Sequence, residues 1–312
     1  MQDMFLNDDY HLNNKKYIID QTVYILKELD NSLSETYLEC MIKTILNNYN
    51  LIEFHNFTHV FEVFQMANYF MSFTTNLTVT EKKIILFVTL CHDANHLGLS
   101  NNQINLITSK SVESLPNYIN DSDIQYKETY IKLLSKRSKS YDCIHDISSS
   151  SSFNETVHIH IATKLLKKYF NILFENTTFT FAQIRTIVIT LILSTDMKLH
   201  YEYYNLIKNS CNTTNYTNVL QMIHILKIAD ISHPLRSFRV HIYWVFKLLN
   251  EEKNDLLMSP LNSIADDTLY FIHGFLRPLL CLFVKMYPKS KTLKDRLKKT
   301  IETWKQCTKS FK

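Results

Sequence analysis

The sequence predicts an all-α fold, and three observations carry that reading. Glycine occurs twice and proline five times in 312 residues, too few for the tight turns and positive-φ positions of a sheet-rich fold. Apolar residues recur at helical spacing along most of the chain. Hydrophobic residues make up 46% of it, enough to bury one large core at the upper end of single-domain size. This argues against a barrel, a sandwich and a doubly wound sheet. A glycine-rich phosphate cradle is excluded, since neither GxGxxG nor GxxxxGK occurs.

The elements follow in order. Residues 17–29 and 34–49 carry helical apolar spacing. The stretch 56–72 predicts a third helix, with Val60, Val63 and Phe64 on one side. A strongly apolar helix at 81–93 runs into CHDANH. Helical patterns return at 155–175, 181–197, 216–230, 234–250, 263–287 and 291–307. Pro234 sits near a helix start, where its missing N–H costs little, and Pro260 marks a connection. Between about 107 and 153 the chain turns polar and ends in ISSSSSF. That stretch reads as a largely disordered surface insertion with one short helix at 127–136. Because the two halves share motif residues, 1–312 is read as a single domain with its core at about 50–290.

The formal net charge is +4, from 34 basic and 30 acidic residues. The lysine clusters at 164–168 and 285–299 read as solvated helix faces, so nucleic acid is not an expected partner. Six cysteines include no CxxC pair, and the N-terminus is polar. Free thiols and an intracellular place at the cytosolic face follow as expectations, with any membrane attachment left to regions outside this chain. No apolar run reaches about 18 residues, so no membrane span is expected.

Chemistry concentrates in four histidine–aspartate clusters: HNFTH at 55–59, HDANH at 92–96, TDMKLH at 195–200 and ADISHP at 229–234. His55 and His59 are one helical turn apart, a spacing that surface histidines also adopt. His92 and Asp93 close a very apolar helix, and Asp230 follows another apolar run; a buried aspartate needs a partner or a metal. Imidazole and carboxylate ligands suit Zn²⁺, Fe or Mn²⁺, and a carboxylate can bridge to a harder ion such as Mg²⁺. Two histidines and two aspartates make a plausible two-metal site.

Taken together the clusters resemble the catalytic domain of class I 3′,5′-cyclic nucleotide phosphodiesterases. FHNFTHVFEVFQ at 54–65 is similar to that family's YHNxxHAxxVxQ, and CHDANHLGLSN at 91–101 to its HDxxHxGxxN. ETVH at 155–158 resembles its ExHH segment, STDMKLH at 194–200 its TDMxxH, and KIADISHP at 227–234 its HxADxSNP. The interval between His96 and Glu155 is longer than usual, and the surplus is the polar insertion. The resemblance covers roughly 50–290.

It implies a compact multi-helix HD-type phosphodiesterase fold with a binuclear metal site, and hydrolysis of cAMP or cGMP to the 5′-monophosphate. By resemblance, His59, His92, Asp93 and Asp230 hold the metal, usually zinc, and Asp93 bridges to a second ion, usually Mg²⁺, with Mn²⁺ as a substitute. A hydroxide between the ions attacks phosphorus, and His55 protonates the departing 3′-oxygen. His96, Glu155, His158 and Thr195 orient metal waters and ligand imidazoles. Phe54, Trp244, Leu248 and Phe271 fall where the family builds its base slot.

The departures lie in base recognition. Counting back from PLL at 278–280, the family's purine-reading glutamine falls on Thr268. His233 replaces the asparagine of SNP, Lys227 the histidine of the same motif, and His241 a tyrosine lining the pocket. No glutamine lies between Gln221 and Gln306, so base preference is relaxed or His233 and His241 read the base. Two other readings are a different HD-type metal phosphohydrolase and a degenerate nucleotide-binding module. Oligomeric state and the choice between cAMP and cGMP stay open.

Overall fold

The computed structural model describes residues 14–109, 152–211, 216–252 and 261–310, and among these there is no strand. Thirteen α-helices are described: α1 Lys15–Leu29, α2 Glu35–Leu46, α3 Phe57–Met71, α4 Val79–Cys91, α5 Asn101–Ser109, α6 Phe153–Leu173, α7 Phe181–Leu193, α8 His200–Ser210, α9 Asn218–Asp230, α10 Phe238–Glu251, α11 Leu261–Phe271, α12 Arg277–Met286 and α13 Thr292–Ser310. Most of the 107–153 insertion, its helix at 127–136, Cys143 and Pro260 lie outside the described residues.

Local signals set the helix starts. Asn56 caps α3 by accepting from the backbone N–H groups of Thr58 and His59. Thr78 and Glu81 form a reciprocal capping box on α4, and Thr180 and Gln183 form one on α7. These bonds satisfy N–H groups that a helix start otherwise leaves without partners. Pro234 lies in a short 3₁₀ turn, His233–Leu235, just ahead of α10.

Three expectations change. Residues 101–109 and 200–210 are helices that the sequence did not predict, because α8 buries only His200 and Ile207 and α5 is mostly polar. The helix expected at 181–197 stops at Leu193, where Ser194, Thr195 and Asp196 turn the chain. The stretch 263–287 is α11 and α12 joined by a π-helical turn, Ile272–Leu276. Ser263–Met286 thereby becomes a 24-residue helix containing an 18-residue stretch with a mean hydropathy of 1.4, long and apolar enough to cross a membrane by length and composition. No uninterrupted apolar run of that length is present, and the helix passes on its average because the polar residues are scattered along it. Its Ile272, Leu276, Leu279, Leu280 and Phe283 are buried in the protein core.

One apolar cluster runs from Ile18 to Trp304, so α1, α2 and α13, outside 50–290, belong to the same core. Helix α3 packs on α4 and α9, α6 on α7, and α11 on α13. This brings the start of α3, the end of α4 and the end of α9 together. Arg236, just before α10, pairs with Glu62 of α3, and both are buried. Removing one member of a buried ion pair strands the other. Arg236→Met is therefore expected to lower unfolding stability by about 3–5 kcal/mol, read from urea denaturation against wild type.

Candidate metal centre and active site

His59 lies in the first turn of α3, His92 caps the C-terminal end of α4 with Asp93 next to it, and Asp230 ends α9. Their side chains converge. His59 Nε2 is 3.3 Å from Asp230 Oδ1 and 3.5 Å from Asp93 Oδ2. His92 Nε2 is 3.2 Å from Asp230 Oδ1 and 3.1 Å from Asp93 Oδ2. One ligand atom from each of the four residues lies within 4.8 Å of all the others.

The donor set fits a divalent cation. His92 Nδ1 donates to the Thr89 carbonyl at 2.9 Å, which aims the lone pair of Nε2 at two carboxylates. Lone pairs converging in a buried space require positive charge between them. Asp93 Oδ2 is enclosed and has no hydrogen-bond partner. The electrostatics say the same. Burial favours the neutral forms, yet the imidazoles hold Asp93 and Asp230 well below the usual carboxylate range. Burial also opposes charge on His92, yet Asp93 and Asp230 hold it well above the usual imidazole range.

A cavity of about 280 Å³ opens beside this cluster, lined by Asp93 and Asp230 on one side and Glu155, His158, Thr195 and Asp196 on the other. His158 Nδ1 donates to the Ala94 carbonyl at 2.8 Å, and its Nε2 is 3.9 Å from Asp93 Oδ1. Glu155 accepts from Asn101 at 3.0 Å; burial, then the Asp196 charge, pushes it up to about 7. Thr195 donates its hydroxyl to the Ile192 carbonyl at 2.8 Å. Lys227, in place of the expected histidine, is buried and donates to the Ser194 carbonyl at 2.6 Å. Burial pulls it down to about 8 against the opposing charges of Asp230, Asp196 and Glu155.

His55 faces the same cavity, and the structure supplies a partner for it that sequence reasoning missed. Glu251, the last residue of α10, binds His55 Nδ1 through one oxygen. Its other oxygen accepts from the backbone N–H groups of Phe54 at 2.6 Å and His55 at 3.0 Å. Burial disfavours the His55 imidazolium, but the Glu251 hydrogen bond, aided by the charges of Asp93, Glu251 and Asp230, raises it to about 9. His96 stacks on His55 with ring centroids 3.9 Å apart. Its Nδ1 accepts from the Gly98 N–H at 3.0 Å, and burial, then the neighbouring His55, holds it well below the usual range. Gly98 has φ +72°, and a Cβ there would lie 3.2 Å from Glu251 Cγ. Nothing in the sequence marked Glu251, which reads there as the charged end of a helix.

The residues assigned to the base slot divide into two groups. Phe54, Trp244 and Leu248 pack together; Phe54 also lies against His59, with centroids 4.6 Å apart. The Trp244 Nε1 is enclosed without a hydrogen-bond partner. Phe271 stacks with His233 at 6.5 Å, and His233 also meets the edge of Phe54 at 6.4 Å. Thr268 lies three residues before Phe271 on α11 and is mostly buried. His241 is fully buried behind His233.

A family model described as 3′5′-cyclic nucleotide phosphodiesterase matches residues 54–117 and 137–297. A cGMP-specific 3′,5′-cGMP phosphodiesterase 3 of Dictyostelium discoideum is 27% identical over 96% of this chain and 64% of its own length. The human high affinity cGMP-specific 3′,5′-cyclic phosphodiesterase 9A is 29% identical over 71% of this chain and 33% of its own. This chain thus spans between a third and two thirds of these relatives. The phosphodiesterase domain of a rhodopsin phosphodiesterase from Salpingoeca rosetta superposes with a TM-score of 0.75 at 20% identity, covering 96% of this chain and 90% of that one; it supports the fold alone. On the extent of the family match, which includes every residue of the metal cluster, the chain belongs to the 3′5′-cyclic nucleotide phosphodiesterase family.

Proposed function

We propose that this chain hydrolyses a 3′,5′-cyclic purine nucleotide, cAMP or cGMP, to its 5′-monophosphate. The observation that carries the reading is a carboxylate–imidazole cluster fit for a metal, facing one cavity together with a histidine whose Nδ1 is bonded by a buried carboxylate. His59, His92, Asp93 and Asp230 would hold one ion, with Asp93 free to share a second; Zn²⁺ and Mg²⁺, or Mn²⁺, suit these donors. Such ions supply Lewis-acid polarisation of the phosphate and water of lowered pKa.

The chain's own residues do the rest. Glu251 keeps the Nδ1 proton of His55, so the transferable proton is on Nε2. Cleavage leaves an alkoxide at the 3′-oxygen, a poor leaving group, and proton donation from a positioned acid is worth about 10²–10⁴-fold. The His55 side chain is 26% exposed, which lets solvent return the proton. Phe54, Leu248 and Phe271 offer apolar contact to a base. The same reading places the chain inside the cell, where thiols such as Cys40 and Cys281 stay reduced.

Three measurements test this. Purified protein with Mg²⁺ or Mn²⁺ should release 5′-monophosphate from cAMP or cGMP, and Asp230→Ala should lose both turnover and tight metal. Absence of turnover in folded, metal-loaded protein would reject the proposal. His55→Ala should keep its metal content and lose about 10²–10⁴ in kcat. The pH profile should fall on the alkaline side as His55 deprotonates, at or below about 9, because ions on Asp93 and Asp230 cancel their part of the upward shift. Glu251→Gln removes a negative charge that favours the imidazolium, so this limb should move to lower pH by roughly one unit or more.

A further inference from the structure

Behind the base slot three rings form a hydrogen-bonded chain whose protons can be placed. Trp304 of α13 is fully buried, and its indole Nε1 donates to His241 Nε2 at 2.8 Å. An indole N–H donates and never accepts. His241 Nε2 is therefore the bare nitrogen, and its ring proton sits on Nδ1. That Nδ1 lies 2.9 Å from His233 Nδ1. Two N–H groups cannot face each other at this distance, so His233 Nδ1 accepts and its proton sits on Nε2. A second proton on either imidazole would set two N–H groups head to head. Burial acts in the same direction: burial, then the nearby His59, holds His233 down at about 3, and burial, then His233, holds His241 well below the usual range. The Thr300 hydroxyl donates to the Pro234 carbonyl at 2.9 Å, tying α13 to the turn that carries His233.

We propose that His233 is a specificity-determining residue that presents a fixed Nε2–H donor to an acceptor atom on the purine edge, and that His241 and Trp304 are the positioning residues that fix its tautomer. This rests on the phosphodiesterase reading of the site. His233 lies between Phe54, which touches the metal cluster, and Phe271. Its Nε2 bonds no other side chain among the described residues. The Thr268 hydroxyl donates to the Ile264 carbonyl at 2.7 Å, which leaves its lone pairs to face outward. A carboxamide at one position can turn to offer a donor or an acceptor. Here the fixed donor stands on His233, and Thr268, with its proton on the Ile264 carbonyl, offers an acceptor. Guanine N7 and O6, and adenine N7, are edge atoms able to take the His233 proton.

The test is a double-mutant cycle. Trp304→Phe keeps most of the volume but removes the N–H, so His241 and then His233 can take either tautomer. KM for the purine nucleotide should rise about fivefold, the worth of one neutral hydrogen bond, while kcat changes by less than about twofold. His233→Asn carries its own amide donor, so in that background Trp304→Phe should leave KM within about twofold. Equal rises in both backgrounds would overturn the proposal. Because Trp304→Phe also alters a fully buried ring of the core, the wild type is examined as well. A long-range ¹H–¹⁵N spectrum of ¹⁵N-histidine-labelled protein, with His233 assigned by its absence in His233→Asn, should show the Nε2–H tautomer; an Nδ1–H tautomer or an imidazolium at neutral pH would overturn it. If no form turns over any cyclic nucleotide, the phosphodiesterase reading fails while this spectrum still decides the tautomer.

Discussion

The structure depends on one electrostatic constraint: Asp93 and Asp230 point their carboxylates into the same buried space as two imidazole nitrogens. Carboxylates held this close repel one another at reduced dielectric, and burial alone would neutralise them. The charge needed to keep them ionised comes from His92, in its protonated form, or from a cation between the four groups. This demand fixes where three helices end. The first turn of α3, the last residues of α4 and the end of α9 must meet, and the apolar packing of α3 against α4 and α9 holds them there. Arg236 and Glu62 brace the same junction.

The region around the cluster is built so that each polar group has one possible role. His92 donates to Thr89, and His158 to Ala94; each bond commits one nitrogen and leaves the other defined. His96 is committed through Gly98. It stacks on His55 as a neutral ring, so it adds contact without adding charge. Lys227 is the exception, a buried amine set near three carboxylates that temper the cost of its charge. A lysine there can do what a neutral imidazole cannot, offsetting part of the negative charge on the far side of the cavity.

Much of this was legible in the sequence, and what was not has a physical reason. Scarce glycine and helical periodicity were enough for the all-α class. Of the candidate metal residues, His92, Asp93 and Asp230 were legible because histidine and aspartate beside apolar runs are costly unless they have work to do; His59 joined them only through the motif resemblance. Helix α8 was not, because a helix that buries His200 and Ile207 has almost no apolar stripe to display. The turn after Leu193 was not, because Ser194 and Thr195 are compatible with a helix until their hydroxyls bond back to Leu191 and Ile192. Glu251 was invisible for a different reason. Its partners, Phe54 and His55, lie almost two hundred residues away, and a glutamate at a helix end is ordinary until the fold brings the chain back to it.

Helix α10 links the two halves of the site. His241 stands in its first turn, Trp244 lies one turn on, and Glu251 is its last residue. At a rise of about 1.5 Å per residue these ends are roughly 15 Å apart. A carboxylate at a helix C-terminus is disfavoured by the helix dipole, so Glu251 is held there by what it binds: two backbone N–H groups and the His55 ring. At the other end His241 is held by Trp304. A shift of α10 along its axis would therefore disturb His55 and the His233–His241 pair together, and the anchors at its two ends oppose such a shift. Helix α10 thus holds both the Glu251–His55 bond and the His241–Trp304 bond, and under the proposed function substrate placement and proton transfer would share that one mechanical reference.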